Sequence, residues 1–253
     1  MTHAAPFSLD RRTFLQFAAA GFVGAAVVGS PLRVFAQDGG LKGMKIATIG
    51  AGNEGGALGT VFAKLGHPVM FSSRHPDQLK DLVAGAGPTA KAGTVAEAVA
   101  FGEIILLVVP YTAIEAIGKE FGQQLAAKPL IIDVSNPIPR RDGEDFVKQV
   151  ASEGGPGIVT QKLLPGAKIV RGFNAIGHNA LATDGHRAGD PVGVPIAGDD
   201  KGAIALATTL IKETGFEPVL IGGLAKGKYL VPGTPLGGEH TPAEIQKIVA
   251  TLA

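Results

Sequence analysis

The sequence predicts an α/β protein with a doubly wound parallel sheet in a single domain. Short apolar, β-branched runs alternate with helical patterns along most of the 253 residues, as in chains built from repeated strand–helix units. Ile104–Val109 is an unbroken apolar run, which is typical of a strand buried on both faces of a parallel sheet. Because ligands of such sheets bind beyond the carboxyl ends of the strands, we expect the functional residues in the turns that follow them.

The first of these turns carries Gly50, Gly52 and Gly55 in the spacing G-x-G-x-x-G. A predicted strand, Met44–Ile49, precedes it, and a predicted helix, Asn53–Leu65, follows. The glycines suit a tight turn, close approach of the backbone to a pyrophosphate, and close packing of the helix on the strand. The turn predicts a dinucleotide site, with Asn53 and Glu54 at the start of the helix among its residues. An ordinary turn in a chain with 37 glycines is the alternative.

The end of the second predicted strand indicates which dinucleotide binds. A site that prefers NAD expects Asp or Glu about 20 residues past the glycines, and neither is found in residues 68–76. Ser72, Ser73 and Arg74 occupy this place and can donate hydrogen bonds to a 2′-phosphate. They predict NADP as the cofactor. A polar strand-to-helix turn without a ligand is the alternative.

Further strands and helices follow in alternation. The other predicted strands are Pro68–Phe71, Lys91–Gly93, Leu130–Val134, Lys168–Arg171, Val192–Ile196 and Pro218–Ile221, and the other predicted helices are Pro76–Val83, Gly157–Leu164 and Gly202–Thr214. Thr94–Glu97 and Thr112–Glu115 have the pattern of a capping box, and Thr241–Glu244 has a cap followed by proline and glutamate. The polar segment Ile138–Pro156 is either a lid over the site or a solvated connection.

The topology places later turns beside the glycine turn. Val109-Pro110-Tyr111 ends the apolar run, and Asn136 follows the strand Leu130–Val134. We expect these residues to line the cofactor crevice. His178 is the only histidine that this topology places near the crevice, and it is a candidate proton donor. A structural histidine at a helix start is the alternative.

Together these features resemble the NADP oxidoreductases that use the deazaflavin coenzyme (factor 420), over about residues 44–236. The resemblance rests on the glycine turn, on Ser72-Ser73-Arg74, on Val109-Pro110-Tyr111 and on Gly172-Phe173-Asn174-Ala175-Ile176. The same stretch is similar to the NADPH-oxidising part of metalloreductases and, more distantly, to the start of pyrroline-5-carboxylate reductases. The large helical second domain of the latter has no counterpart here. The glycine- and proline-rich residues 222–253 depart from the deazaflavin family.

The resemblance implies hydride transfer between NADPH and an acceptor held across the crevice. It implies that Asn53, Ser73 and Arg74 hold phosphates and that Pro110 packs near the nicotinamide, with Tyr111 and Asn136 nearby. It also implies that Asn174 and His178 flank the acceptor, which makes them the candidate catalytic residues.

Composition excludes several other classes of function. Lys and Arg number 23 against 22 Asp and Glu, so no basic excess predicts a nucleic-acid partner. The chain has no cysteine, and no histidine or carboxylate cluster has the spacing of metal ligands, so no metal site is predicted. A Gly-x-Ser-x-Gly motif, which would indicate a hydrolase, is absent from the sequence.

Residues 1–36 have the pattern of a twin-arginine signal peptide. Asp10–Gln16 contains Arg11-Arg12 with Phe14 and Leu15, and the apolar stretch Phe17–Gly29 that follows is shorter than the roughly 20 residues of a membrane span. We expect export by the twin-arginine machinery to the periplasm, with cleavage after Ala36. The alternative is a cytoplasmic protein translated from Met44.

The sequence thus predicts a signal peptide (1–36), a linker (37–43), an NADP-binding Rossmann domain (44–221) and a C-terminal extension (222–253). The predicted function is hydride transfer between NADP(H) and a flavin-, deazaflavin- or metal-type acceptor. The alternatives are an NADP-binding redox sensor or partner subunit without turnover and, below these, a pyrroline-5-carboxylate reductase-like enzyme. A homo-oligomer formed through the C-terminal segment is expected.

Overall fold

The computed structural model describes residues 41–252, which lie within one compact unit, Asp38–Ala253. The predictions on residues 1–36, and most of the predicted linker, concern residues outside this description. The described residues contain no helix that is both long and apolar enough to cross a membrane.

A single eight-stranded sheet forms the centre of the unit. The strands are β1 (Ile46–Ile49), β2 (Val69–Ser72), β3 (Ala90–Gly93), β4 (Ile104–Leu107), β5 (Leu130–Asp133), β6 (Ile169–Arg171), β7 (Gly193–Gly198) and β8 (Glu217–Gly222). Their order in the sheet is β3-β2-β1-β4-β5-β6-β7-β8. The chain reverses its direction of travel across the sheet between β3 and β4, so the carboxyl ends of β1 and β4 form a switch point at which ligands bind.

Strands β1 to β6 are all parallel, which confirms the predicted α/β class, but β7 runs antiparallel to β6. The predicted doubly wound parallel sheet is confirmed as a sheet that is mainly parallel, in which β7 and β8 pair parallel with each other and run opposite to the other six strands. The connection between β6 and β7 stays at the carboxyl edge of the sheet and does not cross back to the other edge. Residues 172–192 consequently form a wall beside the switch point.

Ten α-helices accompany the strands in the described residues. They are α1 (Asn53–Lys64), α2 (Lys80–Ala86), α3 (Val95–Phe101), α4 (Ile114–Ala126), α5 (Pro139–Asp142), α6 (Glu144–Ser152), α7 (Pro156–Leu163), α8 (His178–Thr183), α9 (Lys201–Glu213) and α10 (Pro242–Val249). The polar segment Ile138–Pro156 thus folds mainly into the short helices α5 and α6.

Two separate cores show that the sheet is wound on both faces. Leu106 of β4 belongs to the core formed with α1, α2, α8 and α9, whereas the next residue, Leu107, belongs to the core formed with α3, α4, α6 and α7. Every residue of β4 is buried, as the unbroken apolar run predicts. A third cluster packs the C-terminal segment on β7 and β8 through Leu230, Leu236 and Ile245.

Of the three predicted helix caps, two are confirmed and one is wrong. Thr94 and Thr241 each accept a bond from the backbone of the glutamate three residues on, and that glutamate bonds back to the threonine N–H. Thr112 caps no helix, because Tyr111–Ala113 forms a 3₁₀ turn and α4 begins only at Ile114. The predicted helix Pro76–Val83 likewise begins as a 3₁₀ turn, Pro76–Leu79.

Candidate functional site

The glycine turn between β1 and α1 has the geometry of a phosphate cradle. Gly50 has a φ of 97°, and a Cβ there would lie 2.2 Å from the carbonyl oxygen of Val108. A Cβ on Gly55 would lie 2.0 Å from the oxygen of Gly50, so helix and strand meet too closely for a side chain. Gly52 faces open space, and no side chain of the described residues caps the first turn of α1. The exposed amides and the helix N-terminus fit a pyrophosphate.

Ser72 supports this turn through its hydroxyl group, and it is also one of the residues that line the cleft beside the end of β2. Its side chain is fully buried, and its hydroxyl donates to the Thr48 carbonyl at 2.8 Å and accepts from the Gly50 amide at 3.4 Å. The only proton of the hydroxyl is therefore already used. Ser72 therefore holds the turn, and it could donate to a 2′-phosphate only if its bond to the Thr48 carbonyl were broken.

Ser73 and Arg74 lie at a cleft of about 930 Å³ beside the end of β2, which we call the Arg74 cleft. Arg74 is exposed, and the Ser73 hydroxyl accepts from the His75 amide at 3.0 Å, which leaves its own proton available. Apolar and polar residues of later elements also line this cleft, among them Leu79, Ala113, Ile117 and Glu120. No local pattern predicts the apolar part of this lining, since apolar helix residues resemble core residues until the strand order is known.

A second cavity, of about 550 Å³, lies on the other side of the glycine turn, and we call it the Asn174 cavity. The two spaces adjoin at the turn, because both are lined by Gly50, Gly52, Val109 and Pro110. The predicted site residues that line the Asn174 cavity are Gly50, Gly52, Asn53, Glu54, Gly55, Val109, Pro110, Asn136, Asn174 and His178. The structure therefore brings together most of the residues singled out in the sequence.

A fully buried ion pair forms the floor beneath this cavity. Arg171 donates to Asp133 at 2.7 Å, and both side chains have no exposed surface. The same guanidinium donates to the Ser135 carbonyl at 2.9 Å and to Asn136 Oδ1 at 2.8 Å. Because buried charges must be paired and hydrogen-bonded, this network holds the carboxyl ends of β5 and β6 in one arrangement. Sequence reasoning missed the role of Arg171, whose partner lies 38 positions away.

The network fixes Asn136 and Asn174 to each other. Asn136 donates from its side chain to the Asn174 carbonyl, and Asn174 donates to the Asp133 carbonyl, each at 2.9 Å. Asn174 is 4% exposed, and its Oδ1 has no hydrogen-bond partner among the described residues. Phe173 has a φ of 63°, a left-handed conformation that is costly for a bulky residue. This conformation immediately precedes Asn174 at the cavity wall.

Glu54 and His178 face each other across the cavity mouth. Glu54 Oε1 accepts from the His178 amide at 3.1 Å and lies 3.9 Å from the His178 ring Nδ1. Burial raises the pKa of Glu54, and the charge and amide of His178 offset this only in part. The ring of His178 is 41% exposed, so the cavity is open to solvent at this residue.

Tyr111 lies outside the crevice, and its predicted place near the nicotinamide is wrong. The side chain is fully buried against α7, where its hydroxyl donates to the Pro156 carbonyl at 2.6 Å and lies 3.0 Å from the Thr160 hydroxyl. Burial, together with the charge of Asp133, raises its pKa. The 3₁₀ turn at Tyr111–Ala113 directs this ring away from the open edge of the sheet.

Two residues of the cavity wall were not predicted individually. Arg141 of α5 lines the cavity and donates to the Asn136 carbonyl at 2.6 Å, so the polar segment contributes a cation to the site. Pro232 brings the C-terminal segment to the same wall, and the Gly238 amide bonds to the Ala175 carbonyl at 2.8 Å. Residues 41–252 contain no group of three or more metal-ligating side chains of the His, Cys, Asp or Glu type.

The sheet order and the glycine turn define a Rossmann-like α/β fold, the class that binds dinucleotides at its switch point. Residues 45–137 match the family described as NADP oxidoreductase, coenzyme F420-dependent. The matched segment runs from β1 to the turn after β5, so it holds the glycine turn, the Arg74 cleft and Asn136.

Similar proteins and structures agree with this class. The chain is 30% identical over 131 residues to a glycerol-3-phosphate dehydrogenase [NAD(P)+] of Enterococcus faecalis, but it spans only 38% of the length of that curated relative. A crystal structure of a hypothetical protein from Sinorhizobium meliloti is 28% identical with a TM-score of 0.66, over 78% of this chain and 95% of that one. A provisionally named F420-dependent NADP reductase from Arthrobacter sp. FB24 is 25% identical with a TM-score of 0.64, over 74% and 88% of the two chains. The matched family and the named relatives are NAD(P)-dependent oxidoreductases.

Proposed function

We propose that this chain transfers a hydride between NADP(H) and a flavin-, deazaflavin- or metal-type acceptor. The observation that carries the proposal is that the Arg74 cleft and the Asn174 cavity adjoin at the glycine turn, one on each side of it. A dinucleotide whose pyrophosphate lies on the turn would extend in both directions from it. Its 2′-phosphate would meet Ser73 and Arg74, and its nicotinamide, which supplies the hydride, would lie near Pro110, Asn136 and Asn174.

The preference for NADP over NAD is proposed from the charges at the end of β2. Arg74 is an exposed cation at the cleft, and the neighbouring Ser73 retains a hydroxyl proton that it can donate. Within β2 and the turn that follows it to Pro76, no carboxylate is present to repel a 2′-phosphate.

The test of this proposal is the Arg74→Ala variant. We expect its affinity for NADPH to fall by about 1.5–3 kcal/mol, the scale of a charged hydrogen bond, and its affinity for NADH to change little. Arg140→Ala is the matched control, because Arg140 is also exposed but lines neither space. Fluorescence titration with both nucleotides measures the effect. Equal losses for NADPH and NADH would contradict the assignment of the 2′-phosphate to Arg74.

Turnover distinguishes this function from an NADP-binding sensor or partner subunit. We expect the purified protein to oxidise NADPH when it is supplied with a flavin, a deazaflavin, a quinone or a ferric acceptor. Tight binding of NADPH without oxidation by any of these acceptors would favour the sensor.

We also propose, from the sequence of residues 1–36, that the protein is exported by the twin-arginine machinery to the periplasm. That route moves folded proteins, so a chain that has already bound NADP in the cytoplasm could be exported with it. Native mass spectrometry of protein released from the periplasm is expected to show the cleaved chain with a bound nucleotide. Recovery of the uncleaved chain in the cytoplasm alone would contradict the export proposal.

A further inference from the structure

Two buried oxygen atoms in the wall of the Asn174 cavity lack a partner in the described part of the chain. They are Oε2 of Glu54 and Oδ1 of Asn174. A buried polar atom without a partner costs free energy, so such atoms are rare unless a water or a ligand completes them. Asn174 Oδ1 accepts hydrogen bonds, whereas Glu54 Oε2 accepts when the carboxyl group is ionised and can donate when it is protonated. A ligand that completes both atoms is therefore expected to carry polar groups of its own.

Glu54 is held in a defined orientation although it belongs to the first turn of α1. Its Oε1 accepts from the His178 amide at 3.1 Å, a contact between residues 124 positions apart. Oε2 is the oxygen of this carboxyl group that has no partner among the described residues, and Glu54 is one of the residues that line the cavity. The carboxyl group thus lies between the helix start that fits a pyrophosphate and the wall that carries Asn174.

Burial and a bound pyrophosphate both disfavour the ionised form of Glu54, whereas the start of α1 and His178 favour it. Burial already raises the pKa of Glu54, and the titratable group that faces it is His178. Arg141, the other ionisable side chain that lines the cavity, donates to Asn136 and Asp142. A pyrophosphate at the start of α1 would place negative charge beside Glu54, and a like charge raises the pKa of a carboxyl group further.

We propose that Glu54 takes up a proton when NADP(H) binds and donates that proton to the acceptor during hydride transfer. This inference rests on the proposed function, because it requires the cofactor to lie on the glycine turn. It gives Glu54 a catalytic role and places His178 as the group that orients it.

With an acceptor ring of flavin or quinone type, both electrons and both hydrogens of the reduced ring have a source. The reduced nicotinamide gives two electrons and one hydrogen as a hydride to the ring. Glu54 gives the proton from Oε2 to a ring nitrogen or oxygen, and a new N–H or O–H bond forms. The products are NADP⁺, the reduced ring and the Glu54 carboxylate, which regains a proton from water at the solvent-exposed His178 side. Two ferric acceptors would take one electron each, and the hydrogen of the hydride would leave as a proton to water, so their reduction does not need the proton of Glu54.

Calorimetry of cofactor binding tests the uptake of the proton without any turnover. NADP⁺ is titrated into the wild type and into Glu54→Gln at pH 6 to 8, in buffers of different ionisation enthalpy. We expect the wild type to take up more protons than Glu54→Gln, by up to about one per cofactor. Protons released by the 2′-phosphate are common to both proteins and cancel in the difference. Glu115→Gln, an exposed change on α4, is the matched control and should equal the wild type.

Steady-state kinetics tests the donation of the proton. With FMN or menadione as acceptor, Glu54→Gln should lower kcat by about 10²-fold, the lower range for general acid catalysis. With ferricyanide, Glu54→Gln should lower kcat far less, because no acceptor atom has to be protonated. At pH values where free Glu54 is ionised, Glu54→Gln should bind NADPH more tightly than the wild type, because glutamine needs no proton uptake and keeps the oxygen that accepts from His178. A structural role alone would lower turnover with all three acceptors equally.

The outcomes separate this inference from the proposed function. A wild type that binds no NADP⁺ would overturn both. Normal binding with equal proton uptake in the wild type and Glu54→Gln would overturn the role of Glu54 and leave the proposed function intact. Equal kcat values with FMN or menadione would do the same. If none of the acceptors is reduced, the calorimetric difference decides alone.

Discussion

The two sides of the glycine turn differ in how their walls are built. The Arg74 cleft is lined by an exposed arginine and a serine that follow directly from β2, and the contacts of these residues are local. The Asn174 cavity rests on Arg171 and Asp133, which are completely buried and come from neighbouring strands. One side can therefore change its side chains with little effect on the fold. The other side cannot, because its polar groups are bonded to one another beneath the surface.

This difference separates binding from stability. A substitution at Arg74 removes an exposed charge, so it should alter cofactor affinity and leave the free energy of unfolding nearly unchanged. A substitution at Arg171 leaves the buried Asp133 carboxylate without its cation, and this destabilises the folded state. The geometry of the hydride side is thus tied to the integrity of the sheet.

The largest effect is expected for Arg171→Met, which keeps the length of the side chain and removes its charge. Asp133 would retain its bonds from Thr160 and the Ser135 amide but would lose its charged partner. We expect the free energy of unfolding to fall by about 3–5 kcal/mol, as for other buried pairs broken on one side. Urea denaturation measures this loss.

The matched control for this prediction is Lys119→Met, which breaks an ion pair with Glu115 on the surface of α4. Both of these side chains are more than half exposed. We expect a change within about 0.5 kcal/mol. If Arg171→Met were as mild as this control, the two sides of the turn would not differ in the way described above.

A medium effect is expected for Gly55→Ala, in the turn that both sides share. The new Cβ would lie 2.0 Å from the Gly50 oxygen, so α1 must move away from β1. We expect a loss of about 1–3 kcal/mol in the free energy of unfolding. Gly52→Ala is the contrast, because its Cβ meets nothing within 4 Å.

Gly52→Ala should unfold like the wild type yet bind NADPH about tenfold more weakly, since its methyl group would occupy the cradle (a loss of about 1.4 kcal/mol). Thermal unfolding and nucleotide titration of the two variants measure these effects. If Gly52→Ala bound NADPH normally, the pyrophosphate would not lie over that glycine.

The difference between the two sides of the glycine turn also explains which parts of the site the sequence predicts. The glycine turn, Ser73 and Arg74 were predicted because each residue type answers a requirement that is local in the chain. The buried pair Asp133 and Arg171 was not predicted as part of the site, because residues 38 positions apart meet only once the strand order is fixed. The antiparallel β7 was missed for a related reason, since an apolar strand pattern does not specify its direction.

A local sequence pattern also fails to predict the direction of a side chain when contacts with distant residues determine it. The Tyr111 hydroxyl contacts Pro156 and Thr160, and these buried contacts hold the side chain away from the open crevice. Ser72 lies at the end of β2, as predicted, but its hydroxyl proton is donated to the Thr48 carbonyl, a contact that the local pattern does not specify. Position along the chain was therefore predicted better than side-chain direction.

The smallest effect is expected at two threonines of the Arg74 cleft, where one predicted helix cap forms and the other does not. Thr94 and Thr112 both line this cleft and both begin a capping-box pattern, but only Thr94 makes the two reciprocal bonds. Thr94→Ala should therefore cost about 1 kcal/mol of stability, as for the loss of a helix cap. Thr112→Ala should stay within about 0.5 kcal/mol of the wild type. Urea denaturation of both variants measures the difference, and equal losses would mean that Thr112 caps α4 in solution and that the local pattern was right.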